Sequence, residues 1–142
     1  MEATAFRTEG GRRLTARSRG KIRFLSADEV IRVLHKGRKA FFYCRDGRLT
    51  EGVVSLGYLN SELECFKEEF VRISRNEYVN FSYVDSIEGK NMILTNGVRC
   101  MISRARVKEV TEICCLRFSS VNSKGKIIFL ASKCAKCNIK RT

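Results

Sequence analysis

Apolar and polar residues alternate along much of this chain with a period of two, the pattern of strands that bury one face. Charged and apolar positions alternate from Lys21 to Leu25, and Asp28 to Leu34 carries Val30, Ile31, Val33 and Leu34. A basic turn, His35-Lys36-Gly37-Arg38-Lys39, leads to an aromatic strand from Ala40 to Cys44. Asp46-Gly47 is a short hairpin signal, so Arg48 to Val54 is expected to pair back on that strand. The period then changes: Leu56, Leu59, Leu63 and Phe66 recur at three- and four-residue spacing behind Ser55, a residue suited to an N-cap. This spacing predicts a helix that packs on the sheet, and Gly57 weakens it by only about 1 kcal/mol relative to alanine.

The stretch from Phe70 to Asn80 divides in three. Phe70, Val71 and Ile73 suit a strand with Arg72 turned the other way, Ser74-Arg75-Asn76-Glu77 is a polar turn, and Tyr78-Val79-Asn80 resumes β-forming residues. Arg75 is therefore held out on a loop between two anchored strands. Tyr83 to Ile87 and Met92 to Thr95 form another strand pair around Glu88-Gly89-Lys90-Asn91, and Asn96-Gly97 turns the chain into Val98 to Ile102. Ser103 is placed to cap a second helix, with Val107, Val110, Ile113 and Cys114 on one face and Arg104, Arg106 and Lys108 in its first turn. Cations there oppose the macrodipole, whereas a bound anion would be met by side chains and free backbone N–H groups alike.

The ends are patterned differently. Residues 1–20 hold arginines at 7, 12, 13, 17 and 19 with little apolar periodicity, and read as a flexible basic N-terminal arm that tracks phosphates or enters a minor groove, or else has no role. Residues 117–142 read as a C-terminal extension with a strand at Lys126 to Leu130 and a Cys134-Ala-Lys-Cys137 pair. The length suits one domain with tails, at residues 21–116.

Charge narrows the function. Lysine and arginine total 28 against 15 acids, a net charge of +13 that predicts a polyanionic partner, nucleic acid before an anionic membrane surface. No apolar run approaches the roughly 18 residues of a membrane span and the N-terminus lacks a hydrophobic signal core, so a cytoplasmic location is expected. Glu2 and Glu9 count against a transit peptide. The odd number of cysteines, seven, argues against a secreted disulfide framework. Cys44, Cys65 and Cys100 fit small hydrophobic positions. Cys114 and Cys115 with Cys134 and Cys137 make a poor zinc set, since only one pair has ligand spacing and adjacent cysteines seldom share an ion, so no metal or other cofactor is expected. His35, the one histidine, has no visible catalytic partner and reads as a surface or capping group. With no nucleophile and base arrangement, phosphate loop or paired carboxylates, the chain is not read as an enzyme.

The ordered set F-x-R-x-x-R-x-x-x-V-N (Phe70, Arg72, Arg75, Val79, Asn80), Ile87, Leu94 with Asn96-Gly97, and Ile102-Ser103-Arg104, behind Asp28-Glu29-Val30-Ile31, resembles the LytTR family of bacterial DNA-binding domains from about Lys21 to Leu116. The resemblance implies a mainly β fold with one or two helices, its sheets stacked in an elongated body, that enters the major groove of double-stranded DNA with loops. Carried over, three loop regions fall at Arg38 and Lys39, at Arg75 with Asn76, and at the segment starting Arg104. Ser74 departs from the histidine common before the central arginine. Ala105 stands where a base-reading side chain commonly falls, leaving Arg104 or Arg106 to substitute. The resemblance also implies a transcriptional regulator acting as two copies on a direct repeat. With too few residues before Lys21 for a receiver domain, it suggests a stand-alone member, of which some are checked by a partner membrane protein.

Among these cations Arg75 is the expected base reader, because a guanidinium can give two parallel hydrogen bonds to guanine. Lys39 can reach a base or a phosphate, and Arg38, Arg72 and Lys108 are expected on phosphates, Arg72 alternatively in a structural ion pair. A competing reading is a basic β module for RNA or protein, with Phe41, Phe42, Tyr43, Phe81 and Tyr83 as a stacking face.

Overall fold

A computed structural model describes residues 12–123 of the chain. Two units are distinguished, Met1–Arg104 and Ala105–Thr142, and the ten strands among the described residues lie in the first. The arm residues before Arg12, the strand expected at Lys126 to Leu130 and the Cys134/Cys137 pair fall outside the described residues.

Strands β1 (Arg13–Ser18) and β2 (Lys21–Ser26) form an antiparallel hairpin. This corrects the reading of residues 13–18 as flexible arm. Leu14 and Ala16 alternate with Arg13, Thr15 and Arg17, and both are buried. The register places Leu25 opposite Leu14, so Leu25 turns inward while Ile22 and Phe24 are exposed, the reverse of the face expected for β2. Asp28 and Glu29 belong to a 3-10 turn, Ala27–Glu29, ahead of β3 (Val30–Lys36).

Strands β3, β4 (Lys39–Cys44), β5 (Leu49–Val53), β6 (Phe70–Ser74) and β7 (Glu77–Asn80) form one sheet in the order β5-β4-β3-β7-β6. Helix α1 (Leu56–Glu64) starts where its cap predicts, Ser55 Oγ accepting the Tyr58 N–H at 3.1 Å. Its Leu59 and Leu63, with Phe66 just beyond, join Leu14, Ala16 and Leu25 of the hairpin and Val33, Ala40, Phe42, Phe70 and Tyr78 of the sheet in one core. Burial of each large apolar side chain there contributes on the order of 1.5–3 kcal/mol.

A third sheet, in the order β10-β9-β8, consists of β8 (Val84–Glu88), β9 (Asn91–Leu94) and β10 (Arg99–Met101). Met92, Leu94, Cys100 and Ile102 are buried, as are Val71, Ile73 and Val79 of the central sheet. The two X-Gly hairpins are built alike. Asp46 Oδ1 takes the Arg48 N–H at 2.8 Å and Asn96 Oδ1 takes the Val98 N–H at 3.0 Å, and Gly47 and Gly97 both sit at φ 90°.

Helix α2 (Val107–Ser123) follows a 3-10 turn at Arg104–Arg106. It begins later than the Ser103 cap predicted and runs past the boundary expected at Leu116. Lys108 lies in its first turn beside Glu109, and Arg104 and Arg106 lie in the 3-10 turn directly before it. No helix among the described residues is long and apolar enough to cross a membrane.

Candidate nucleic-acid interface

The β6–β7 turn is two residues long, Arg75-Asn76, with Ser74 opposite Glu77. A register shift between Arg72 and Ser74 accompanies it, and Arg72 uses this irregularity. Its Nε donates to the Ser74 carbonyl at 3.2 Å and its Nη2 to the Arg75 carbonyl at 2.6 Å, while the guanidinium carbon lies 5.7 Å from the Tyr78 ring centre. Arg72 thus braces the turn from beneath.

Asn76 is committed to the fold as well. Its Nδ2 donates to the His35 carbonyl at 2.8 Å, its own carbonyl accepts the His35 N–H at 2.8 Å, and its Oδ1 accepts the Ser74 hydroxyl at 3.1 Å. Both ends of this side chain are therefore engaged within the fold. Ser74, half-buried, orients Asn76 instead of facing outward. His35 is buried, not on the surface. It shares a sheet face with Val33, opposite the small Ala40, and its Nε2 bonds the Val54 carbonyl at 2.8 Å.

Arg75 alone of this turn projects. It is exposed, and its guanidinium makes no hydrogen bond or ion pair with the described residues. The Asn76–His35 bonds tie its turn to the end of β3, after which Gly37, at φ 67°, and Arg38 make the exposed β3–β4 turn. Arg38 fixes the far side of that turn through its carbonyl, which accepts the Val54 N–H at 3.0 Å. Lys39 is paired with Glu51 at 3.3 Å, each about half exposed. Such an exposed pair is worth about 1 kcal/mol or less, and yields readily to a phosphate.

Arg104 reaches the same region by a third route. The Ser103 N–H donates to the Ile73 carbonyl at 2.8 Å, placing the exposed Arg104 next in the chain to a residue pinned on β6. Arg38, Lys39, Arg75 and Arg104 are therefore brought together by backbone bonds between segments distant in sequence. Arg106 and Lys108 belong to the second unit, where Arg106 pairs with Glu109 at 3.3 Å and Lys108 is exposed.

Beneath the turn, Arg32 pairs with Glu77 and lies over the Tyr43 ring, its guanidinium carbon 4.4 Å from the ring centre. The Cys100 thiol accepts from Arg32 at 3.8 Å, and burial, with the Glu77 carboxylate nearby, pushes that thiol up to about 11. It is uncharged at neutral pH and leaves the ion pair undisturbed. Nothing in the sequence singled out Arg32; its position opposite Val79, mid-sheet and half-buried, was the available signal.

Cys44, Cys100 and Cys114 are buried, as small hydrophobic groups would be, but Cys65 is exposed, against expectation. Among the described residues no three His, Cys, Asp or Glu side chains cluster to hold a metal. Phe42 and Phe81 are buried, and Phe41, Tyr43 and Tyr83 are half-buried, so they form no open stacking face.

The sequence model of the LytTr DNA-binding domain matches residues 20–114. Among solved structures, the chain is similar to the LytTr DNA-binding domain of a Bacillus cereus protein described as a methyl-accepting/DNA response regulator. The TM-score is 0.58 at 18% identity, over 72% of this chain and 96% of that one. No curated protein matches. A family match across most of the chain, in a mainly β fold of the same kind, makes this protein a member of the LytTr family of DNA-binding domains, a non-catalytic type typical of transcription regulators.

Proposed function

We propose that this chain is a sequence-specific regulator of transcription that reads the major groove of double-stranded DNA with Arg75. The observation that carries this reading is the contrast within one turn. Arg72 and Asn76 donate to backbone carbonyls, the Ser74 hydroxyl bonds the Asn76 side chain, and the Arg75 guanidinium is left exposed and unengaged. A preorganised arginine loses little freedom on making two bonds to guanine O6 and N7, and a two-stranded ribbon fits a groove about 12 Å wide. Arg38, Lys39 and Arg104 flank it as phosphate or second base contacts, and Arg106 and Lys108 are taken as further DNA contacts made by the second unit on its own account. The protein binds as two copies on direct-repeat sites, as family members do.

The test begins with selection of sites from random duplexes. Arg75→Ala is expected to lose about 1–3 kcal/mol, roughly five- to 150-fold, on the selected site, with little loss on scrambled DNA and an unchanged salt slope. Equal losses on both DNAs would reduce Arg75 to a phosphate contact. No preference by the wild type for any sequence would sink the regulator reading.

A further inference from the structure

The β1–β2 hairpin crosses the central sheet unusually closely. A Cβ at Gly52 of β5 would stand 3.1 Å from the Arg17 nitrogen and 3.2 Å from the Ala16 Cα, both backbone atoms. The absence of that side chain, with Ala40 opposite Gly52, lets β1 lie directly on the sheet. The crossing carries the end of β1 and its turn to the start of β4. There a cavity of about 630 Å³ is lined by Arg17, Ser18, Arg19, Lys39, Glu51, Gly52 and Val53.

Three cations and one carboxylate share this cavity, leaving two positive charges in excess. Glu51 is turned to Lys39 in the exposed pair described above. Arg17 is close enough for its charge to oppose the upward shift that burial imposes on the Glu62 carboxyl, but makes no hydrogen bond or ion pair through its side chain among the described residues. Arg19, exposed in the turn, likewise makes none. Like charges gathered around one cavity repel, and an anion bound between them removes that cost. Guanidinium groups match the planar, bidentate geometry of a phosphate. Lys39 joins the cavity to the β3–β4 turn, so the site is continuous with the cations around Arg75.

We infer that the β1–β2 hairpin is a backbone clamp: Arg17 and Arg19, with Lys39 across the cavity, hold a phosphate of the duplex beside the bases faced by the β6–β7 turn. The inference rests on the DNA-reading function above and adds a contact from a segment that sequence alone marks as flexible. A phosphate contact is blind to sequence and acts through counterion release, with a slope of about 0.9 in log affinity against log salt per phosphate.

The full-length chain and its Arg17→Gln/Arg19→Gln and Arg19→Gln variants are compared on a selected duplex and a scrambled one across a salt series. Both positions are exposed, so the fold is expected to stand. The double variant is expected to weaken on both duplexes by the same factor and to lose about 0.9 from the slope, with Arg19→Gln between it and the wild type. An unchanged slope in the double variant, while the wild type still prefers its selected site, overturns the clamp and leaves base reading by Arg75 intact. A loss confined to the selected duplex also overturns it, since that is the mark of a base contact. A wild type that binds duplexes without preference sinks the Arg75 role and leaves the clamp to be judged by its slope; one that binds no duplex overturns both.

Discussion

Asn76 and Arg75 are neighbours whose polar atoms go different ways, one into the fold and the other to solvent. Removing the Asn76 amide leaves the His35 carbonyl without its 2.8 Å donor in a part-buried site. Asn76→Ala is therefore expected to lower the unfolding free energy by about 1–3 kcal/mol in urea titration. Its DNA affinity should fall through misplacement of Arg75, with no relaxed preference at a separate base pair. Unchanged stability with relaxed preference at one base pair would instead make Asn76 a reader. The sequence made Arg75 legible because a polar turn between two apolar strands must project. It could not show Asn76 as a tether, because its partner lies 41 residues away. Ser74 was legible as a departure from the family's histidine, and its bond to Asn76 gives that departure a structural use. His35 was misjudged for a related reason: a lone histidine looks polar, but its strand parity and the Val54 carbonyl bury it.

At the scale of elements, periodicity found α1 and most strands, and missed β1 because five arginines outweighed a short alternation around Leu14 and Ala16. That hairpin depends on Gly52. Its φ is ordinary, so the constraint is space alone, and Gly52→Val would press a side chain against the Ala16–Arg17 backbone. Overpacking of this kind costs about 1–3 kcal/mol, and a fall in melting temperature with greater exchange of the β1 amides is expected. If Gly52→Val leaves both unchanged, the close crossing is not what holds the hairpin. Glu62 of α1 provides a second hold, accepting the Thr15 N–H at 2.9 Å. Burial raises its carboxyl above the usual carboxylate value, with the Thr15 bond and Arg17 acting the other way. A carboxyl raised on folding contributes stability that is full below its unfolded value and is lost as pH rises through the folded one. Glu62→Gln keeps an acceptor for Thr15 and removes the buried charge. Its unfolding free energy should therefore decline less than that of the wild type as pH is raised from about 4 to 7. An identical pH profile would place the carboxylate in water.

For the whole molecule, the charge surplus was legible in the composition but its distribution was not. The acids are used internally: Glu69 with Arg12, Glu77 with Arg32, Glu29 and Asp46 with Arg48, Glu88 with Arg99. Arg38, Arg75 and Arg104 are left near one another, where charge supplies affinity without preference for sequence. Preference must come from base contacts, and each bidentate arginine supplies about 1–3 kcal/mol against the roughly 4–10 kcal/mol that separates specific from non-specific binding in typical DNA-binding proteins. One copy with Arg75 and one further reader reaches the low end of that range. Two copies on a direct repeat double it, provided both meet the same face of the duplex. Separating the repeats by about 5 further base pairs is therefore expected to weaken paired binding to the single-copy level in a gel-shift titration. Separating them by about 10.5 restores the shared face and part of the cooperativity. Occupancy indifferent to spacing would mean that the copies bind independently, and the specificity would then have to come from base contacts beyond Arg75 and Arg104 within a single copy.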